Sequence, residues 1–302
     1  SKYPYAHRFP NGVVGSGLAV FSRQPIIELD FHSYGMPGDP LKFYHGDWFA
    51  GKGIGKAAIK HPKGTFDFYL THMVANYNTY SGYEDDAYPI SRLRQMVEFA
   101  KFVDMSSDSS RPVIAVGDLN VEPSSRMYKA VIERGLFQNS MKQRLISAWN
   151  TTNSEERATF NHPSNTYHKR GKRPEEIDHI FYRPNRLESL GTWRSMTEKI
   201  ENLGISYSDH FALVAEFRII DPKEKLTDTD NIGNSDLSQF ASYYYAKTEA
   251  YLQKLRSLRK SCQVATLFLL GIYFGLLSSL LDSSKVISIY RLAHVVFNPL
   301  II

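Results

Sequence analysis

Short apolar runs broken by charged and turn-forming residues dominate the first 220 positions. Residues 17–22 (GLAVFS), 66–70 (FDFYL), 112–116 (PVIAV), 177–182 (IDHIFY) and 211–217 (FALVAEF) are too short for core helices and rich in β-branched and aromatic side chains, so each predicts a strand. Two stretches repeat at helical spacing instead. Residues 89–103 put Leu93, Met96, Val97, Ala100 and Val103 on one face, and residues 124–134 follow a capping serine with Met127, Tyr128, Val131 and Ile132. The pattern predicts one α/β domain over residues 1–220, without internal repeats.

Beyond position 220 the pattern changes. Residues 221–240 (DPKEKLTDTDNIGNSDLSQF) are polar and rich in turn formers, which predicts a linker. Residues 241–262 read as a helix with Tyr244, Ala250, Tyr251, Leu255 and Leu258 apolar and Lys247, Lys254, Arg256, Arg259 and Lys260 basic. Residues 263–281 carry no formal charge, a length that spans a ~30 Å hydrocarbon core as a helix. Residues 286–302 are apolar again but contain Arg291, His294 and Pro299. They read as a weaker, truncated second span closing a transmembrane helical hairpin, or as a segment lying in the interface.

Composition adds little until charge is located. With 42% hydrophobic and 22% charged residues, the chain is neither a disordered acidic protein nor a channel embedded along its whole length. The net charge of +5 is uneven: residues 1–240 hold 29 basic and 29 acidic residues, whereas residues 241–262 hold five and one. A neutral domain offers nucleic acid little counterion release, so no nucleic-acid partner is expected. The basic flank of the first span predicts an integral membrane protein whose domain faces the cytoplasm. Lys254, Arg256, Arg259 and Lys260 are the candidate contacts to anionic phospholipids. The single cysteine, Cys262, excludes an intrachain disulfide and leans towards a reducing compartment; at the membrane boundary it is a lipidation candidate or a plain buried thiol. No secretory signal is visible in the first fifteen residues.

Chemistry concentrates at strand edges. Thr71-His72 follows one predicted strand, Gly117-Asp118-Leu119-Asn120 another; Asp178-His179 opens a third, and Ser208-Asp209-His210 precedes a fourth. Singly, each has a bland reading: Asp118 and Asn120 close turns, Asp209 caps, and a lone histidine is hydrogen-bonded structure. Together they supply oxygen ligands for a hard cation, Mg²⁺ rather than Zn²⁺, with an acid and a base. Residues 46–52 (GDWFAGK) fit G-x-x-x-x-G-K, but Gly53 stands where a nucleotide-binding loop needs Ser or Thr, leaving a flexible glycine loop as the alternative. Within it, Trp48 and Phe49 read as core aromatics or as interface contacts. Residues 169–173 (KRGKR) are a basic cluster, read as a solvated loop or a contact to a charged headgroup, and His45, His162 and His168 receive no role.

The ordered set Thr71-His72, Gly117-Asp118-Leu119-Asn120, Asp178-His179-Ile180 and Ser208-Asp209-His210 resembles the successive motifs of the DNase I-like endonuclease/exonuclease/phosphatase superfamily. Residues 44–52 (YHGDWFAGK) and 71–77 (THMVANY) resemble its neutral sphingomyelinase and inositol phosphosphingolipid phospholipase C branch. The resemblance implies a four-layer α/β/β/α sandwich of two mixed sheets flanked by helices. It also implies Mg²⁺-dependent hydrolysis of sphingophospholipids to ceramide and a phosphorylated headgroup. His210 would be the general base, Asp178 its orienting carboxylate, and Asp209 and Asp118 would serve the metal. Asp118 and Asn120 would position nucleophile and phosphate, His72 would stabilise phosphoryl or leaving-group charge, and Asp47 and Lys52 would pair in a regulatory loop. The family's first metal-binding Asn and Glu belong upstream of residues 3–9 (YPYAHRF), and neither Glu28 nor Asp47 replaces them. The expectation is therefore that this segment alone is inactive. Competing readings are another phosphodiesterase or an inositol-polyphosphate phosphatase of the superfamily, a DNase-like nuclease, and a non-enzymatic membrane adaptor.

Overall fold

The computed structural model of the chain describes residues 2–39, 42–77, 86–133, 145–151, 157–221 and 234–280. Two compact units are present, residues 1–242 and 243–302.

The first unit is built on a six-stranded mixed sheet. Its strands are β3 (Ile26–Ser33), β4 (Gly53–His61), β5 (Gly64–His72), β6 (Val113–Asp118), β7 (Ile146–Ser147) and β8 (Asp178–Tyr182), ordered β3-β4-β5-β6-β8-β7. Only β5 and β6 pair in parallel. The intervening α1 (Pro89–Ser106) is the crossover that a parallel pair requires. A proline at the first turn starts this helix, where a missing N–H costs nothing.

The two faces of the sheet are dressed differently. Tyr69 and Phe102 meet edge to face on the α1 side, and Tyr128 of the short α2 (Arg126–Tyr128) packs near His179 and Phe181 there. The opposite face carries two hairpins, β1 (Tyr5–Arg8) with β2 (Ala19–Ser22), and β9 (Leu187–Ser195) with β10 (Ala212–Ile219). Under the first hairpin Phe9, Leu18, Val20, Ala57, Ile59 and Leu70 form one cluster; Ile180, Tyr182 and Leu187 form another with the second hairpin, and Val116 packs against both. Among the described residues β2 and β10 pair on one side only. A groove of about 910 Å³ runs between these clusters, lined by Phe21, Phe68, Ile114, Val116, Leu213 and Phe217 among others. The expected α/β fold with mixed sheets is present, its second sheet divided into two hairpins.

All five sequence-predicted strands occur, with boundaries moved by up to two residues. β1, β3, β4, β7 and β9 have no counterpart in the apolar pattern. β4 (GIGKAAIKH) has glycines and lysines where a strand wants β-branched residues, yet a Cβ on Gly55 would lie 2.8 Å from Phe9, so tertiary packing demands glycine there. α1 also buries a different stripe from the predicted one. Arg92, Gln95, Met96, Phe99, Ala100 and Val103 are buried, whereas Leu93 and Val97 are only half-buried.

The second unit contains most of α3 (Asn234–Leu280), a single helix that is already under way within the polar stretch 221–240. Residues 241–277 are long and apolar enough to cross a membrane, and the apolar window is not buried. Lys254, Arg256, Arg259 and Lys260 are all exposed on it. The second predicted span, 286–302, lies outside the described residues.

Candidate active site

Strand register assembles the site. Parallel pairing sets His72 opposite Asp118, and antiparallel pairing sets Asp118 opposite Asp178, so three residues from three adjacent strands stand in one row at one end of the sheet. Parallel β5 and β6 present their C-terminal ends there, where antiparallel β8 begins. The row is tightly built, since a Cβ on Gly117 would lie 2.2 Å from the Thr71 carbonyl oxygen. His210 arrives from the other layer. It bridges Phe160, its ring 4.8 Å from that phenyl ring, while Phe211 N donates to Thr159 O at 2.7 Å.

Asp118, Asp178 and His210 bring one ligand atom each within 4.8 Å of one another, and all three border the groove. His210 Nδ1 lies 2.7 Å from Asp178 Oδ2. Burial disfavours a charged imidazole, but the Asp178 hydrogen bond and the charges of Asp178, Asp118 and Asp209 outweigh it and raise His210 to about 9. Burial and the neighbouring Asp178 charge push Asp118 up to about 7. Asp178 itself is also penalised by burial, yet its bond to His210 holds it below the ordinary carboxylate value. Two such carboxylates beside an imidazole suit a hard, oxygen-liganded divalent cation, so the donor set fits a metal.

His72 lies in the opposite electrostatic setting. Its Nε2 is 3.5 Å from Asp118 Oδ2 but 3.1 Å from Lys52 Nζ. Burial and the Lys52 charge lower it to about 4, so it is neutral at physiological pH. Lys52, buried and lowered chiefly by that burial, also donates to Met73 O at 2.8 Å and pairs with Asp47 at 2.6 Å. Asn120 has positive φ (53°), donates from its backbone N–H to Asp118 Oδ1 at 2.8 Å, and donates from Nδ2 to Met73 O at 3.0 Å. The turn reading and the site reading of this motif therefore coexist. Asp209 is exposed, bonded to Ser208 Oγ at 3.2 Å, and outside the three-residue cluster. His179 is buried with Nε2 2.8 Å from Val121 O, a structural histidine.

Several contributors carry no sequence signal of chemistry. Gln95 accepts from Val74 N at 2.9 Å, and Arg92 donates to Val74 O at 2.9 Å, so α1 clamps the segment after His72. Tyr77 Oη bonds Asp47 Oδ2 at 2.7 Å. Polar residues on an otherwise apolar helical stripe, as Arg92 and Gln95 are, offer the one hint.

Residues 1–210 match the Endonuclease/Exonuclease/phosphatase family. The chain belongs to this family. Within it, the domain is similar to sphingomyelin phosphodiesterase 2 of Rattus norvegicus, at 42% identity over 121 residues, covering 40% of this chain and 28% of that protein. The inositol phosphosphingolipids phospholipase C of Schizosaccharomyces pombe is 29% identical over 228 residues (69% and 53%), and a putative neutral sphingomyelinase of Caenorhabditis elegans 30% over 243 residues (73% and 53%). The chain spans about half the length, or less, of the curated relatives it matches.

Proposed function

We propose that this domain is a phosphodiesterase of phospholipase C type that hydrolyses sphingophospholipids at a membrane surface, releasing ceramide and a phosphorylated headgroup. The observation that carries the reading is the strand-end cluster of Asp118, Asp178 and His210 facing a neutral His72, in a chain whose curated relatives are named for sphingomyelin and inositol phosphosphingolipids.

Each residue has a role its geometry supports. His210 is the general base: Asp178 engages Nδ1 and fixes the ring, leaving Nε2 to take the proton of the attacking water. Asp118 and Asn120 position the phosphate and its nucleophile, with Asp209 contributing negative charge beside His210. His72, with Lys52 behind it, stabilises charge on the phosphoryl oxygens or the departing alkoxide. Asp118 and Asp178 would hold a divalent cation, Mg²⁺ by the oxygen donor set, which would supply positive charge to offset the carboxylates and the phosphoryl oxygens. With the charges of Asp118 and Asp178 offset by such a cation, His210 would lose part of the field that raises it and would be free to act as a base. The groove between β2 and β10 runs past the cluster and gives a substrate access to it. The apolar stretch of α3 anchors the domain, with the basic flank towards anionic phospholipids on the cytoplasmic side. The Asp47–Lys52 pair is the regulatory element, which anionic lipid favours.

The test is a product assay on labelled sphingomyelin and inositol phosphoceramide, with Mg²⁺ and with or without the relatives' N-terminal segment supplied. Ceramide release that falls about 10²–10⁴-fold in His210→Ala is expected. Plasmid nicking, or free phosphate from inositol polyphosphates, in place of ceramide would overturn the reading.

A further inference from the structure

The glycine loop that supplies Asp47 also carries an exposed aromatic pair, Trp48 and Phe49. Tight turns close it, with Phe49 N bonding Gly46 O at 3.0 Å and Ala50 N bonding Asp47 O at 3.2 Å. These turns send Asp47 inward to Lys52 and leave Trp48 and Phe49 exposed. A second loop is fastened alongside. Val13 N and Val14 N both donate to Phe49 O, at 3.1 and 3.3 Å, and Asn11 Nδ2 donates to Gly51 O at 2.8 Å. The two loops touch so closely that a Cβ on Gly12 would sit 2.6 Å from Gly51 Cα. The outcome is one fixed platform presenting Val13 (84% exposed), Val14 (68%), Trp48 and Phe49 to solvent.

We infer that this platform is a docking surface for a lipid bilayer, inserting Val13, Val14, Trp48 and Phe49 at the level of the headgroups. Four apolar side chains exposed together on two tied loops mark an interaction surface. Their chemistry fits a membrane interface, where tryptophan and other aromatic rings are favoured. Charge agrees: Arg8 reaches Gly15 beside the platform, while Asp47, which precedes Trp48, is buried and neutralised by Lys52. A candidate membrane-spanning helix in the same chain keeps the domain at such a surface. The platform also adjoins the site, because Asp47 precedes Trp48 directly and its partner Lys52 ends 3.1 Å from His72 Nε2. Bilayer contact thus bears on the loop that sets the charge beside His72. The inference extends the membrane-surface reading proposed above, but its test needs no turnover.

The full chain is reconstituted in nanodiscs of phosphatidylcholine and phosphatidylserine, with and without brominated acyl chains, and tryptophan emission is compared. Bromine should quench the wild-type emission. Trp48→Phe should remove most of that loss, whereas Trp193→Phe should leave it. Phe49→Asp and Val13→Asp should each weaken docking about tenfold, the effect of withdrawing one buried apolar side chain, and abolish the quenching with an unchanged near-ultraviolet circular dichroism spectrum. Quenching that persists in Trp48→Phe overturns the inference. So does a concentration-dependent dimer in detergent that Val13→Asp dissolves without any bromine effect, which assigns the platform to a second copy. If quenching behaves as expected but no ceramide is formed, the docking stands and the sphingolipid reading fails.

Discussion

His72 and His210 both border Asp118, yet they are driven in opposite directions. His210 sits among Asp178, Asp118 and Asp209 and is raised to about 9, whereas burial and Lys52 lower His72 to about 4. The regions behind them differ as well. The cluster around His210 is set by strand register and a layer-to-layer bridge, while the charge beside His72 is delivered by a glycine loop through the buried Asp47–Lys52 pair. The contrast teaches that one fixed edge can hold an imidazole poised to carry a proton next to one that stays neutral. Only the second arrangement depends on a loop.

The largest way to break this comparison is to remove the loop's carboxylate. Asp47→Asn leaves the Lys52 ammonium buried without its counter-charge, and should cost about 3–5 kcal/mol in urea unfolding of the domain. The double variant Asp47→Asn with Lys52→Met removes both charges and should recover most of that. A stability loss in the double variant equal to or above the single one would show that the pair is more than mutual neutralisation.

A smaller effect attaches to the strand edge. Gly117→Ala forces a methyl against Thr71 O and should cost about 1–3 kcal/mol while prising β5 from β6. Because His72 and Asp118 are opposed across that contact, the His72 imidazole resonances should shift with it; a neutral, unshifted Gly117→Ala would mean the row is not rigid.

The finest test is titration of the metal-free protein by imidazole NMR. His210 should titrate near 9 and His72 near 4, and Asp178→Asn should bring His210 down. The stability signs follow. His210 gains its charged partners on folding, so its contribution is full below the ordinary 6.5 and is lost as pH rises through about 9. His72 is held neutral by the fold, so stability falls as pH drops from 6.5 towards 4. Matching titrations for the two histidines would erase the contrast between the two regions.

Much of the site is legible in the order of residues along the chain. His72, Asp118, Asn120, Asp178 and His210 each stand at the edge of a short apolar run, because strands end where side chains leave the core and polar groups can reach water. The pairing of Asp47 with Lys52 is legible only through the family resemblance of residues 44–52, and the two side chains do meet at 2.6 Å. Trp48 and Phe49 are not decided by sequence, since an aromatic in a glycine loop suits a core and a surface equally; the turns between Gly46 and Ala50 direct them outward. Arg92 and Gln95 escape because periodicity counts apolar residues, and these two are buried to hold the backbone at Val74.

The sequence by itself determined the local facts: which segments alternate or repeat, where charge collects, and which reactive residues follow which strand. Those are short-range properties carried by neighbouring side chains. The tertiary structure decided the rest. Pairing register, a long-range choice made by packing two faces of a sheet at once, put His72, Asp118 and Asp178 in a single row. The bridge from Phe160 then delivered His210 from another layer. Burial, which no single segment specifies, is what separated the two histidines' affinities for a proton.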